Sequence, residues 1–163
     1  MLPFDKRIDA YAYLANQKLR GYLGPGQGQD GFVLETSHLT AAKFFDREER
    51  YLRERDVYEI LTVKHIAHIA DHNVPRLIRS FDELRVLELS LVARPYVLDF
   101  AGAKLDNEIP DFSAEVMAQH YQQLEELFGP RWIDALNVAE MFRIATGYTL
   151  LDIHPGNIAF ADE

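Results

Sequence analysis

A cluster of glycines near the start of the chain restricts what this region can form. Glycines stand at positions 24, 26, 28 and 31, and glycine is unfavourable inside a helix. Residues 32–34 (Phe-Val-Leu) are typical of a strand. The pattern therefore predicts a turn between two short strands. Its GxGxxGxV spacing favours a flap over phosphate groups, because a dinucleotide-binding loop would lead into a helix. An ordinary glycine-rich hairpin is the alternative.

A lysine and a glutamate follow in positions that suggest an ion pair. Residues 39–45 (LTAAKFF) read as a strand that contains Lys43, and the small Ala41 on the same side leaves room for a flat ligand. The next helix carries Glu54 on its apolar stripe, between Tyr51 and Tyr58. A carboxylate on a buried face needs a cation, so we expect Lys43 to pair with Glu54. Alternatively, Lys43 reaches solvent from a strand edge.

The segment TLLDIHPGNIAF near the end of the sequence combines a carboxylate with a carboxamide. Pro155 and Gly156 predict a tight loop between a helix that ends near Gly147 and a short apolar run. Asp152 can accept a proton, and Asn157 offers a neutral oxygen to a hard cation. The alternative is an ordinary loop in which both side chains bind backbone groups.

The remaining segments complete an α+β pattern. An amphipathic helix is predicted at about residues 5–18, and two strands are predicted within 75–92. Residues 94–100 read as a strand that leads into residues 99–102. These last residues are either an interlobe hinge or a plain strand end. Two helices follow, one capped by Ser113 and one beginning near Trp132, and we expect their apolar faces to pack on each other.

Composition limits the partners. The formal charge of −9 argues against a broad nucleic-acid interface, which needs a basic face. There are no cysteines, and no apolar run approaches the length of a membrane span. We therefore expect a cytoplasmic protein with neither a nucleic-acid partner nor a membrane partner. The segment HIAHIADH could align His65, His68 and His72 along a helix as metal ligands, but solvated histidines at a helix end are the alternative.

Taken in order, these segments resemble the protein-kinase-like superfamily, in particular its atypical and small-molecule branch of aminoglycoside and choline phosphotransferases. The resemblance covers about residues 18 to 160. It rests on the following matches: Gly26, Gly28 and Gly31 with the glycine-rich loop, Ala41-Ala42-Lys43 with the strand that carries the phosphate-binding lysine, Glu54 with its helical partner, Val97–Gly102 with the hinge, and Asp152 to Asn157 with the catalytic loop.

The resemblance implies an antiparallel-sheet N-lobe with one main helix, at residues 1–102, and a minimal helical C-lobe at 103–163. It also implies that ATP is the donor and that Mg²⁺ is bound. Lys43, held by Glu54, would contact the phosphates, Asn157 would hold Mg²⁺, and Asp152 would orient an acceptor hydroxyl. The nucleotide contacts that it implies are Gly26, Gly28, Gly31, Val33, Ala41, Lys43, Asp99 and Ala101.

Two departures bear on activity. Leu150 and Leu151 stand where protein kinases usually have His and Arg. The 163 residues also stop before the family's second metal-binding Asp, of the DFG type, and Asp162 is too close to Asn157 to replace it, since a strand advances about 3.3 Å per residue. Three hypotheses follow: a compact phosphotransferase, whose site a second chain or a homodimer would complete; a pseudokinase-like nucleotide-binding module; and an interaction scaffold without nucleotide.

Overall fold

The computed structural model describes residues 2–25, 31–92, 97–98, 100 and 103–160, with backbone only for 22–25 and 97. In this part of the chain the fold is α+β. The helices are α1 (Phe4–Ala15), α2 (Glu48–Val63), α3 (Ala114–Phe128) and α4 (Trp132–Thr146). The strands are β1 (Leu19–Pro25), β2 (Gly31–Thr36), β3 (Thr40–Phe45), β4 (His68–Ile69), β5 (His72–Asn73), β6 (Leu77–Phe81), β7 (Val86–Ser90), β8 (Val97–Leu98), β9 (Ala103–Leu105), β10 (Tyr148–Leu150) and β11 (Ile158–Ala159).

The chain divides into two compact units. The first comprises Met1–Val63 and Pro75–Val92, and the second comprises Lys64–Val74 and Ala93–Glu163. The segment 64–74 thus groups with the later part of the chain, which the predicted division at residue 102 does not anticipate. Helix α2 ends at Val63, and His65 adopts a left-handed backbone conformation (φ 55°), which does not continue the helix.

The first unit is an antiparallel five-stranded sheet in the order β1-β2-β3-β7-β6. Helix α1 packs on one face, where Tyr11 and Ala15 join Ala42, Phe44 and Val86 in a buried cluster. Helix α2 contacts β3, β6 and β7. Four consecutive residues of the strand β7, from Val86 to Leu89, are buried, as expected for a central strand that is covered on both faces.

The second unit combines two helices with three short strand pairs. Strand β9 pairs with β10, β8 pairs with β11, and β4 pairs with β5. Ser113 caps α3 by accepting a hydrogen bond from the Val116 N–H, and Gly147 ends α4 with φ of 78°. These two helix boundaries confirm the predictions made from Ser113 and Gly147.

Two other predictions about this unit were wrong. The histidine segment forms the hairpin β4–β5, so His68 and His72 do not share a helical face. The helices α3 and α4 do contact each other, with the Tyr121 and Trp132 ring centres 6.1 Å apart, but the apolar face of α3 is not core as predicted, because only Leu124 of this helix is buried. None of the helices in the described part of the chain is long and apolar enough to cross a membrane.

Candidate functional site

Lys43 and Glu54 form a nearly buried ion pair in the first unit. The Lys43 ammonium donates hydrogen bonds to both carboxylate oxygens of Glu54, at 2.6 and 2.9 Å. The two side chains are only 12% and 3% exposed. Glu54 lies on the buried face of α2 together with Tyr51 and Tyr58, as the periodicity predicts. The predicted pairing is therefore present, and it is built by a strand and the helix that follows it.

The surroundings of Lys43 are set by its position in the sheet. Val33 on β2 and Leu87 on β7 are its direct partners in the neighbouring strands, so all three side chains share one face. Ala41 lies on the same face two residues earlier and is buried. The Lys43 ammonium also lies 5.2 Å from the centre of the Phe45 ring, a favourable cation–π distance. Val33, Ala41 and Lys43, three of the expected nucleotide contacts, thus lie on one face of the sheet.

Gly31 has a structural reason to be glycine. It pairs with Phe45 at the start of β2, and a Cβ atom placed on it would lie 2.3 Å from the Phe44 carbonyl oxygen. No side chain fits at that distance, so close packing of β2 against β3 requires glycine here whether or not a ligand is bound. Gly26 and Gly28, the other two predicted loop glycines, lie outside the described residues.

The loop from Asp152 to Asn157 connects its two polar ends through the backbone. The Asn157 side-chain amide donates a hydrogen bond to the Asp152 carbonyl oxygen at 2.8 Å, and Asn157 is only 5% exposed. The other side-chain atom of Asn157, the carbonyl oxygen Oδ1, is the one that can bind a cation. The Asp152 carboxylate, by contrast, is 68% exposed and is accessible to a proton donor.

His154 lies between these residues and has a defined ring orientation. Its Nδ1 atom accepts a hydrogen bond from the Gly156 N–H at 3.0 Å. In the neutral ring the proton is therefore on Nε2, which is 3.5 Å from an Asp152 carboxylate oxygen. No role was predicted for His154, although its place two residues after Asp152 is a signal for such a contact.

The predicted hinge residues Asp99 and Ala101 lie outside the described residues, as does Asp162. The neighbouring Leu98 pairs with Ile158, directly after Asn157, so β8 and β11 support one end of the loop. His72 supports β11 as well, since its Nε2 lies 3.1 Å from the Ala159 carbonyl oxygen. Burial keeps the pKa of His72 below its usual value.

A second buried charge, Glu88, was not predicted from the sequence. Its carboxylate accepts hydrogen bonds from the side chains of Gln17 (2.6 Å), Thr40 (2.9 Å) and Arg79 (2.9 Å). Burial alone would raise the pKa of Glu88, but these three donors outweigh it and hold the pKa below its usual value. A charged residue within the apolar run Val86–Leu89 was the available signal for this site.

A bound Mg²⁺ ion would take most of its ligands from phosphate groups and water and few from the protein. In the part of the chain that the structure describes, no three His, Asp or Glu side chains cluster as a metal site. Mg²⁺ commonly takes one or two protein oxygens and completes its shell with phosphates and water. A single Asn157 oxygen fits that use as part of a nucleotide complex, but not a metal site made of protein ligands alone.

Comparisons with protein-family models, with curated proteins and with solved structures found no match to this chain.

Proposed function

We propose that this chain is a kinase-like, nucleotide-binding protein that transfers a phosphoryl group from ATP to a hydroxyl acceptor. The observation that carries the proposal is the Lys43–Glu54 pair. A nearly buried ion pair is a weak source of stability, because desolvation of both charges offsets their attraction. A role in ligand binding explains why such a pair occupies the central part of a sheet.

The role proposed for Lys43 follows from its chemistry. An ammonium group is a compact positive charge that binds phosphate oxygens, and Glu54 restricts its position through two hydrogen bonds. Val33 and Ala41 on the same sheet face would contact the flat base of the nucleotide. These assignments, with the glycines at 26 and 28, stay predictions.

The proposed roles in the loop follow from exposure. The Asp152 carboxylate is exposed and would accept the proton of the acceptor hydroxyl or orient that hydroxyl. The Nε2 atom of His154 lies 3.5 Å from this carboxylate and would help to orient it. Asn157 would supply one oxygen to Mg²⁺, and the cation, when bound with ATP, would neutralise charge on the phosphates.

A nucleotide-binding module without catalysis is the second candidate. This candidate is favoured by the burial of Asn157, whose amide is already bonded to the Asp152 backbone. Such a bond is what the alternative of an ordinary loop, with side chains bonded to backbone groups, predicts for Asn157. Both candidates agree with the predicted cytoplasmic location. Completion of the site by a second chain or a homodimer also stays a prediction.

Thermal unfolding with ATP and Mg²⁺ tests the shared part of the two proposals. A ligand that binds only the folded state stabilises it, and a tenfold excess over Kd should raise Tm by roughly 3–6 °C. Lys43→Met should abolish this shift. Lys18→Met is the matched control, because Lys18 is an exposed lysine of the same unit. If wild-type Tm does not change at millimolar ATP and Mg²⁺, nucleotide binding is wrong and the scaffold hypothesis replaces it.

Phosphate release and phosphorylation of the chain itself separate the two candidates. Turnover that Asp152→Ala removes, while the ATP-induced rise in Tm persists, would identify an enzyme. A rise in Tm that depends on Lys43 but is accompanied by no turnover would identify the binding module.

A further inference from the structure

Arg7 on α1 is a buried arginine that binds three backbone carbonyl groups of the sheet. The residue is only 1% exposed. Its Nε atom donates a hydrogen bond to the Leu84 carbonyl oxygen at 2.9 Å. Its Nη2 atom donates to the Phe45 carbonyl oxygen at 2.8 Å and to the Arg85 carbonyl oxygen at 3.3 Å. The guanidinium thus joins the last residue of β3 to the turn that precedes β7, in the fixed geometry of its planar group of donors.

Burial of this charge is an unfavourable way to attach a helix. Desolvation lowers the pKa of Arg7, and this effect exceeds the opposing one of Asp46. The Asp46 carboxylate lies 3.8 Å from Nη1 and is 51% exposed, so its attraction compensates only in part. Ile8, Tyr11 and Ala15 attach the same helix to the sheet without a charge. The carbonyl groups that Arg7 binds therefore suggest a role other than attachment.

The backbone that Arg7 holds is the corner between β3 and α2. Strand β3 ends at Phe45, and only two residues separate it from α2. The Arg85 side chain holds the same corner, since it donates a hydrogen bond to the Asp46 carbonyl oxygen at 3.2 Å. Because the connection is so short, the direction in which α2 leaves the sheet depends on how this corner is held.

The side chain of Phe45 connects the corner to the ion pair. Helix α1 packs on the sheet face of Phe44, and the side chains of Lys43 and Phe45 point to the other face. There the Phe45 ring lies 5.2 Å from the Lys43 ammonium and packs edge-on against Tyr51, with 5.7 Å between the ring centres. Tyr51 is one helical turn before Glu54 on the buried face of α2. Phe45 thus contacts the lysine and the helix that carries its partner.

We infer that Arg7 is a positioning residue for the Lys43–Glu54 pair and that α1 thereby controls the affinity of the chain for nucleotide. Arg7 acts through the backbone of Phe45, from the opposite face of the sheet. The statement about nucleotide rests on the proposed function, whereas the statement about the ion pair does not. The alternative is that Arg7 only attaches α1. Its loss would then lower stability and leave the interaction of Lys43 with Glu54 unchanged.

A double-mutant cycle for the ion pair, repeated in different backgrounds, separates these two roles. Urea unfolding of chains with Lys43→Met, Glu54→Leu and both substitutions gives the coupling between the two side chains. In an Arg7→Met background this coupling should be largely lost. Tyr11→Leu is the matched control, because it weakens the aromatic packing of the same helix on the sheet and leaves the corner contacts in place. In that background the coupling should be unchanged.

Arg7→Lys serves as a second variant where Arg7→Met does not fold. Lysine keeps the positive charge and an apolar stem, but its single ammonium lacks the planar group of donors that reaches three carbonyl groups. The coupling between Lys43 and Glu54 should again be smaller than in the Tyr11→Leu background. Trimethylamine N-oxide at one concentration in every sample helps to keep the multiply substituted chains folded.

Titration calorimetry with ATP and Mg²⁺ measures the consequence for the ligand. At a temperature at which all variants are folded, Arg7→Lys should raise the Kd about 3-fold to 30-fold, and Tyr11→Leu should leave the Kd unchanged. A wild-type chain that binds no ATP would contradict the proposed function. The unfolding cycle would still decide whether Arg7 positions the ion pair.

Three results would overturn the inference. A coupling between Lys43 and Glu54 that is the same in the Arg7 variants as in wild type would leave Arg7 with the attachment of α1 alone. An equal loss of coupling in the Arg7 and Tyr11 backgrounds would assign the effect to a general loosening of α1. A loss of coupling with an unchanged Kd for ATP would remove the control of nucleotide affinity by α1.

Discussion

The Asn157 side-chain amide donates a hydrogen bond of 2.8 Å to the backbone carbonyl oxygen of Asp152. The two polar residues that bound the loop are therefore connected through the main chain, and only Asn157 is buried. Substitution of Asn157 should consequently lower stability more than substitution of Asp152 does. A loss of function in an Asn157 variant must therefore be compared with its loss of stability.

Asn157→Ala should destabilise the chain by about 1–3 kcal/mol, because it leaves the Asp152 carbonyl without this donor and opens a small space. Asp152→Ala should change the unfolding free energy by less than about 0.5 kcal/mol, since its carboxylate is mostly exposed. Urea unfolding of both variants at neutral pH measures the difference. An equal loss of unfolding free energy in the two variants would contradict the stabilising role of the hydrogen bond from Asn157 to the Asp152 carbonyl oxygen.

The Lys43–Glu54 pair should show strong coupling in a double-mutant cycle. Glu54→Leu should lower the free energy of unfolding by about 3 kcal/mol, because it removes the carboxylate that binds the Lys43 ammonium in a nearly buried position. Lys43→Met should cost less, since Glu54 can take up a proton. The double variant should lie within about 1 kcal/mol of wild type, as apolar replacements of buried pairs often do. Costs that simply add in the double variant would argue against a coupled pair.

Gly31→Ala should lower stability without any nucleotide present. The new Cβ would be 2.3 Å from the Phe44 carbonyl oxygen, so β2 and β3 must move apart, at a cost of about 1–3 kcal/mol. Gly21→Ala is the matched control, because a Cβ there meets no atom within 4 Å. Thermal unfolding of the two variants measures this. A Gly31→Ala variant as stable as wild type would show that the glycine is not required by sheet packing.

Glu88 should contribute stability that disappears in acid. Its pKa in the folded chain is below the usual value of 4.5, so the folded state favours the ionised form. The contribution is therefore complete above about pH 4.5 and is lost as the pH falls through the lowered folded-state pKa. The free energy of unfolding of wild type should exceed that of Glu88→Gln by about 1–3 kcal/mol at pH 7. This difference should shrink below pH 4.5.

Urea unfolding of wild type and Glu88→Gln at several pH values between 3 and 7 measures the linkage. Glu83→Gln serves as the control, because Glu83 is an exposed carboxylate in the same unit. Its difference from wild type should stay small at every pH. A difference between wild type and Glu88→Gln that is the same at pH 3 and pH 7 would contradict the role of the ionised carboxylate.

Local signals in the sequence were sufficient for several elements. The Ser113 cap and the left-handed Gly147 depend on a few neighbouring residues, so these helix ends were predictable, as were the two strands within 75–92. Helical periodicity likewise placed Glu54 on the buried face of α2. The requirement that a buried carboxylate has a cation then led to Lys43, which is close along the chain.

Only the tertiary structure decided features that depend on distant residues. Glu88 is charged and buried because Gln17 and Arg79 reach it from other elements, and no local pattern contains them. Most of the apolar side of α3 is exposed and only Leu124 is buried, a matter of packing that helical periodicity does not determine. Spacing along the chain specifies which residues share a face, but what covers that face is set by long-range contacts.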